Sequence, residues 1–264
     1  MAYKRKQYGS DMHDREWRII RHLLPVHTGP GRKMHLSRRA VLNAIFYVVR
    51  TGCQWRELPS DFPQWQSVYY HYYKWMKQGV WRQINTALCR LERQRQGRQP
   101  TPTAGAIDSQ SVKTTALARE RGVDGYKRIK GHKRHIITDT TGNLLEVVVH
   151  MANLADCKGA RPLIARVVET FPTLKKLWAD GAYQGDLAEL VAETLGAVLE
   201  IVEREPGTPG FQVVPRRWVV ERTFGWFEWY RRLSRDYERL IASSESMVYL
   251  ASIQIMLRRR RAAA

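Results

Sequence analysis

Around residue 100 the hydrophobic period of this chain changes, and that change limits the folds open to it. Before it, apolar residues recur at helical spacing: Val41, Ile45, Val48 and Val49 fall near one face of a segment that Ser37 can cap and Gly52 can close. An earlier helix carries Trp17, Ile20, Leu23 and Leu24, with Asp11 or Asp14 as its cap and Pro25 near its end. Trp55–Pro63 reads as a connector, and Gln64–Gln78 as a third helix crowded with tyrosines. The segment up to about residue 96 is thus expected to be all helix. The stretch GRQPTPTAGA at 97–106 then reads as a linker, because proline and glycine punctuate regular structure.

After it the pattern alternates. Ala106–Lys113, Lys133–Asp139 and Leu144–His150 are strand-like, the last two joined by a hairpin turn at Thr140-Thr141-Gly142-Asn143. Asp156–Thr170 suits a helix, Leu174–Asp180 a buried strand, Asp186–Leu195 a helix and Ala197–Glu203 a strand. A loop with Pro206, Pro209, Gly210 and Pro215 leads to a long helix from about Arg216. Such an order predicts an α/β unit, a mixed sheet flanked by helices.

Charge narrows the partners. The chain carries 44 Lys and Arg against 25 Asp and Glu, a formal charge of +19. An excess of this size repels itself and points to a polyanion. The first 100 residues hold 19 basic and 6 acidic residues, so non-catalytic contacts to nucleic acid are expected there. A helix, a short connection and a polar-aromatic helix is the arrangement a helix-turn-helix needs, with the last helix in the major groove. Arg38, Arg39, Gln64, Gln66, Ser67, Tyr69, Tyr70, Tyr73 and Lys74 are its candidate contacts, although any one tyrosine is as well suited to a core. A second basic stretch runs from Lys113 to Arg134, with Lys127, Arg128, Lys130 and Lys133 between, and reads as a flexible loop that grips DNA. Cys53, Cys89 and Cys157 have no partner at zinc spacing and read as buried thiols of a reducing compartment. Nothing resembles a signal peptide or a membrane span, and a cytoplasmic protein is expected.

Three acids stand out. Asp108 follows Ala-Ile within a strand (AIDSQS), Asp180 ends another (KKLWADGAY), and Glu221 lies among apolar residues in RRWVVERTFGWFEWYRRL. A carboxylate at such a place is costly unless paired or metal-bound. Gly181 would let a ligand or backbone approach Asp180. Two divalent ions between such acids suit an in-line displacement at phosphorus, and Mg²⁺ needs few protein carboxylates. Each acid also has a plain reading: a strand-end cap, a turn with Gly181, an ion pair with Arg217 one helical turn away. Among rivals, Asp139 sits at the hairpin turn, Asp156 and Asp186 look like N-caps, and Glu228 falls two turns after Glu221 near the same face.

At these residues the sequence resembles the DDE transposases of bacterial insertion sequences, specifically the IS-five family, sister to the IS-four group. The likeness rests on RRAVLNAIFYVVRTGCQWRELPSDFPQWQSVYYHYYKW, AIDSQSVKT, GHKRHIITDTTGNLL, WADGAYQG and RRWVVERTFGWFEWYRRLSRDYE. It implies a ribonuclease H-like catalytic domain over 107–264, preceded by a helix-turn-helix-like DNA-binding domain over 1–96 and a linker at 97–106. It implies that Asp108, Asp180 and Glu221 hold two Mg²⁺ ions, with Mn²⁺ able to substitute, and no organic cofactor. The implied partners are the terminal inverted repeats and target DNA, double-stranded, met by a homodimer associated with the bacterial nucleoid and with no membrane. Arg217, Arg222, Arg231 and Arg232 join the DNA-binding set. Sister-group members carry Tyr, Arg, Glu and Lys around the third acid; here Val214 and Glu228 replace the Tyr and Lys. Only about forty residues separate Asp180 from Glu221, too few for a large insertion domain. The rival readings are a non-catalytic regulator derived from such a protein, and a nuclease that cuts without joining.

Overall fold

The computed structural model describes residues 5–26, 36–203 and 215–262. Four helices come first: α1 (Asp14–Ile20), α2 (Arg38–Thr51), α3 (Trp65–Lys77) and α4 (Val80–Arg95). The Ser37 side chain accepts from the Ala40 N–H to start α2, and Gly52, at φ 74°, ends it in the left-handed region. His13, not Asp11 or Asp14, occupies the N-cap of α1, while Asp11 accepts from Arg5 and the Tyr8 N–H. A 3₁₀ turn at Trp55–Glu57 interrupts the connector to α3.

The sheet follows: β1 (Ala104–Lys113), β2 (Gly122–Asp124), β3 (Ile129–Asp139), β4 (Leu144–Met151), β5 (Lys176–Ala179) and β6 (Val198–Ile201). Helix α5 (Asp156–Thr170) precedes β5, and α6 (Leu187–Leu195) precedes β6. Then come α7 (Trp218–Glu228) and α8 (Ile241–Ala262). The long C-terminal helix read from sequence is two helices, separated by a 3₁₀ turn at Arg231–Leu233. The proline loop around Pro206–Gly210 and Val214 lie outside the described residues.

β1 is the hinge of the topology. It pairs antiparallel with β3, Asp108 opposite Ile136, and parallel with β5, Ala106 opposite Trp178. β3 pairs antiparallel with β4, and β5 parallel with β6. The resulting path β4-β3-β1-β5-β6, an antiparallel meander continued by two parallel strands with helices between, is the ribonuclease H-like fold. Helix α5 packs on β3 and β4, and α7 on β1 and β3. The short β2 pairs only with the start of β3 and was not read from sequence.

The helical part and the sheet share one hydrophobic core. α8 packs against α1, α2, α3 and α4 and against β4. Polar contacts bind α4 to the sheet: Arg82 to Glu146 at 2.7 Å, Asn85 Nδ2 to the Leu144 carbonyl at 2.8 Å, and Arg93 to Asp139 at 2.8 Å. The expected linker 97–106 is corrected accordingly. Pro102 is buried, the Thr103 carbonyl accepts from the Lys175 N–H at 2.8 Å, and Ala104 already belongs to β1. Of the cysteines, all free, only Cys89 is buried. Among the described residues no helix is long and apolar enough to cross a membrane.

Candidate active site

β1 carries Asp108 to the middle of the sheet, where it stands partly buried. Its Oδ1 accepts from the Ser109 N–H at 2.7 Å, and among the described residues no group donates to Oδ2. Asp180 follows β5 directly and caps a 3₁₀ turn, Gly181–Tyr183, by accepting from the Ala182 N–H at 3.1 Å. Neighbouring parallel strands therefore bring the two aspartates to one edge of the site. Glu221 comes from the first turn of α7, which packs across β1.

Arg217, the N-cap residue of α7, ties this group together. Its Nη2 donates to Glu221 Oε1 at 2.6 Å and its Nη1 meets Asp180 Oδ2 at 3.2 Å. The i,i+4 pair was legible in sequence; the second arm to Asp180 was not. Burial pushes the Asp108 carboxyl up to about 7, and the nearby charges of Asp180 and Glu221 push the same way. The Ser109 N–H and Arg217 oppose them. All three acids are thus electrostatically coupled around one cation.

The donor set is hard oxygen only, with Asp108 destabilised as an anion and holding one oxygen uncommitted. That set fits a divalent cation such as Mg²⁺ or Mn²⁺. With Arg217 in place, no three acidic, His or Cys side chains among the described residues stand ready to enclose an ion. The Arg217 guanidinium supplies the counter-charge to Asp180 and Glu221 in this arrangement.

A buried polar layer, missed in the sequence, supports the site from the α5 side. The Ser109 hydroxyl donates to Asp156 at 2.8 Å, and Lys133 Nζ meets the same carboxylate at 3.1 Å. His135 Nδ1 lies 2.9 Å from the Tyr183 hydroxyl, and both residues are buried. Residues next to Asp108 and just past Asp180 are thereby fastened to β3. Burial holds His135 well below the usual imidazole range, helped by His150, Lys133 and Lys127. Asp156 is not the N-cap of α5, which is Ala155; its carboxylate serves this layer instead.

The rival acids separate clearly. Asp139 accepts from Thr141 and Asn143 within the turn and from Arg93, all structural. Asp186 holds the N-cap position of α6 and pairs with Arg161 at 2.6 Å. Glu228 lines an outer groove with Arg50, Trp229 and Arg231, a groove that Asp108, Asp180 and Glu221 do not line. What approaches Gly181 is Glu203: a Cβ there would lie 2.7 Å from Glu203 Oε1.

The expected DNA contacts divide in the same way. Tyr69, Tyr70 and Tyr73 are exposed along α3, with Gln64 and Gln66, while Ser67 and Lys74 are half-buried. Tyr72 is core. Arg38 donates to the Leu24 carbonyl at 3.0 Å, and Arg39 pairs with Asp14 at 2.5 Å, so both are partly committed to the fold. Lys113, Lys127, Arg128 and Lys130 are exposed, the last three in the β2–β3 hairpin. That segment is an ordered hairpin, fixed by Asp124, which accepts from the Tyr126 and Lys127 N–H groups and the Ser111 hydroxyl. Lys133 and Arg134 are corrected: both are buried, Arg134 donating to the Leu233 carbonyl at 2.8 Å. Arg232 is corrected likewise, buried against Glu238 at 2.8 Å. Arg222 lies between the rings of Trp218 and Trp226, and Arg231 is exposed.

Comparison with known proteins meets this geometry. Residues 99–256 match the family model described as "Transposase DDE domain". The chain belongs to the DDE transposase family. Residues 12–85 match a second model, "Putative transposase of IS4/5 family". An insertion element IS402 uncharacterized 16.2 kDa protein of Burkholderia cepacia is 30% identical over 116 residues, covering 41% of this chain and 77% of its own length. A protein of the same organism described as a "Putative transposase for insertion sequence element IS402" is 28% identical over 120 residues, 41% of this chain and 54% of its own length. Among solved structures, the catalytic domain of Mos1 mariner transposase is similar with a TM-score of 0.34 and 9% identity, over 67% of this chain and 88% of that one. The ribonuclease H-like assignment rests on strand order and the family match.

Proposed function

We propose that this transposase cleaves DNA at the terminal inverted repeats of its insertion sequence and joins the freed 3′-hydroxyl ends to target DNA. The observation that carries the reading is that Asp180 and Glu221 share the Arg217 guanidinium beside Asp108, whose carboxyl is raised to about 7 by burial and by those two charges. Three mutually repelling carboxylates are a liability to a fold and a requirement for divalent-metal phosphoryl chemistry. The three acids would hold two Mg²⁺ ions, Mn²⁺ substituting. When bound, such ions supply an activated water or 3′-hydroxyl and charge stabilisation for the leaving oxygen.

The chain's own residues prepare that chemistry. Ser109 fixes one oxygen of Asp108 and leaves the other to a ligand. The Asp156–Ser109 and His135–Tyr183 contacts hold the two aspartate-bearing segments in register. Arg217, released from Asp180 and Glu221, becomes available to a phosphate oxygen. Lys113, Lys127, Arg128 and Lys130 offer exposed charge for the DNA backbone, and Arg231 extends it. The outward ridge of α3, with Gln66, Tyr70 and Lys74, reads the repeat as the last helix of a helix-turn-helix. Two ends must be held together, so a homodimer acts, in the cytoplasm at the nucleoid.

The test is a cleavage and strand-transfer assay on the DNA that flanks the gene, with Mg²⁺. Cut ends and joined products are expected. Binding without any cleaved product would favour a DNA-binding regulator, and cutting without joining a nuclease.

A further inference from the structure

Six aromatic side chains are exposed among the described residues: Tyr69, Tyr70, Tyr73, Tyr126, Trp229 and Tyr237. Three of them, Tyr69, Tyr73 and Tyr237, line one cleft of about 290 Å³ between α3 and residues 237–243, with Trp55 on its wall. Gathered exposed rings mark a surface that something covers. Tyr69 and Tyr73 lie nearly parallel, 24° apart, and Trp55 stands edge-on to Tyr69 at 74°.

The charge around the rings selects the occupant. Arg119, Arg232 and Arg239 border the cleft, and Glu238 is its one acid among the described residues. That acid is already satisfied, by Arg232 at 2.8 Å and by the Ser243 hydroxyl at 2.6 Å. Arg119 and Arg239 are exposed, and among the described residues their side chains make no ion pair. The floor is therefore neutralised and the rim carries two free cations. The cleft is also tied to the catalytic strand: the Asp236 N–H donates to the Lys113 carbonyl at 2.9 Å and the Arg119 N–H to the Arg239 carbonyl at 3.2 Å. Lys113 lies five residues beyond Asp108 on β1, about 17 Å along an extended strand.

We propose that this cleft binds one unpaired nucleotide of a DNA strand, its base against the tyrosine rings and its phosphate on Arg119 and Arg239. A cleft of about 290 Å³ walled by Trp55, Tyr69, Tyr73 and Tyr237 has room for a single base with its sugar. Every base offers a π face, so stacking here needs no sequence. The proposal rests on the reading that DNA is the partner, and the surface it concerns is separate from the carboxylates.

The probe is a five-nucleotide single strand with a central 2-aminopurine, added to the full chain in EDTA so that no cutting intervenes. Binding should quench the 2-aminopurine. Tyr237→Ser and Arg239→Gln should each weaken single-strand binding about tenfold. Affinity for a blunt duplex should change less than twofold in the Tyr237→Ser protein. Both side chains are exposed, and an unchanged unfolding midpoint verifies the fold. Unquenched fluorescence, single-strand affinity equal to wild type in both variants, or an equal loss of duplex affinity would overturn the proposal. The wild-type chain separates the two readings. Quenching by a wild-type chain that cuts no end DNA with Mg²⁺ supports the cleft and refutes only the catalytic reading, whereas active cleavage without quenching refutes only the cleft.

Discussion

Replacing Asp108 by asparagine should stabilise the metal-free protein while abolishing its chemistry. The folded chain raises this carboxyl from 3.8 to about 7, chiefly by burial. At about 1.4 kcal/mol per pH unit the rise corresponds to about 4 kcal/mol opposing folding once the group is ionised. Partial exposure and screening reduce this to on the order of 2 kcal/mol. The sign follows from the direction of the shift. A carboxyl with a raised folded pKa binds its proton more tightly when folded, so its opposition is absent below pH 3.8, grows through the interval, and is complete above about pH 7. In EDTA at pH 8 the variant should therefore melt about 4–8 °C higher than wild type, at about 2–4 °C per kcal/mol for a chain of this size. The gain should shrink as pH falls toward 4. Mg²⁺ should reverse the order by stabilising only the wild type. Differential scanning calorimetry across pH 4–8, with and without Mg²⁺, measures all of this. An Asp108→Asn protein no more stable than wild type at pH 8, or equally stabilised at every pH, would refute the reasoning.

Arg217→Gln removes the cation that competes for Asp180 and Glu221. Mn²⁺ affinity by calorimetry should rise about tenfold, charge-assisted bonds of this kind being worth about 1.5–3 kcal/mol, and a fall would show that Arg217 shapes the site for metal. Asp139→Asn breaks the buried pair with Arg93 and should cost about 3–5 kcal/mol in urea unfolding, with metal affinity of the folded protein unchanged; altered metal affinity would return Asp139 to the active site. Gly159→Ala places a Cβ against the ring of His150 and 2.8 Å from His135 Nε2, so α5 must shift. It should destabilise by about 1–3 kcal/mol, and a neutral result in thermal unfolding would mean that the layer behind Asp108 is loosely packed.

Much of the fold was legible because periodicity reports what a residue faces. Asp156–Thr170 reads as a helix in sequence and is one, and the β3–β4 hairpin follows from its turn chemistry and from flanking apolar runs. Asp108, Asp180 and Glu221 are conspicuous in the sequence because each is an ionisable group in or beside an apolar run. Charge counting, in contrast, does not say which way a side chain points. Lys133 and Arg134 lie in a basic run, but β3 is covered on both faces, so they turn inward to Asp156 and to the Leu233 carbonyl. Arg217 was visible as a partner of Glu221 at helical spacing, whereas its bond to Asp180 spans 37 residues and depends on tertiary packing. For the same reason the proline-rich stretch at 97–106 reads as a linker to its end: its local signals are those of a turn, and only the β1–β5 pairing places its last three residues, 104–106, in a strand. The shared core of α8 with both halves left no local trace at all.

The central claim is that Asp108, Asp180 and Glu221 act as one metal-dependent centre for DNA cleavage. The most direct test compares wild-type and Asp108→Asn chains, both shown to be folded, on duplex DNA from the ends of the element with Mg²⁺. The wild type should release a 3′-hydroxyl end, lose that activity in EDTA, and exceed the variant by at least about a thousandfold. An Asp108→Asn protein that cuts the same DNA as fast as wild type would contradict the claim.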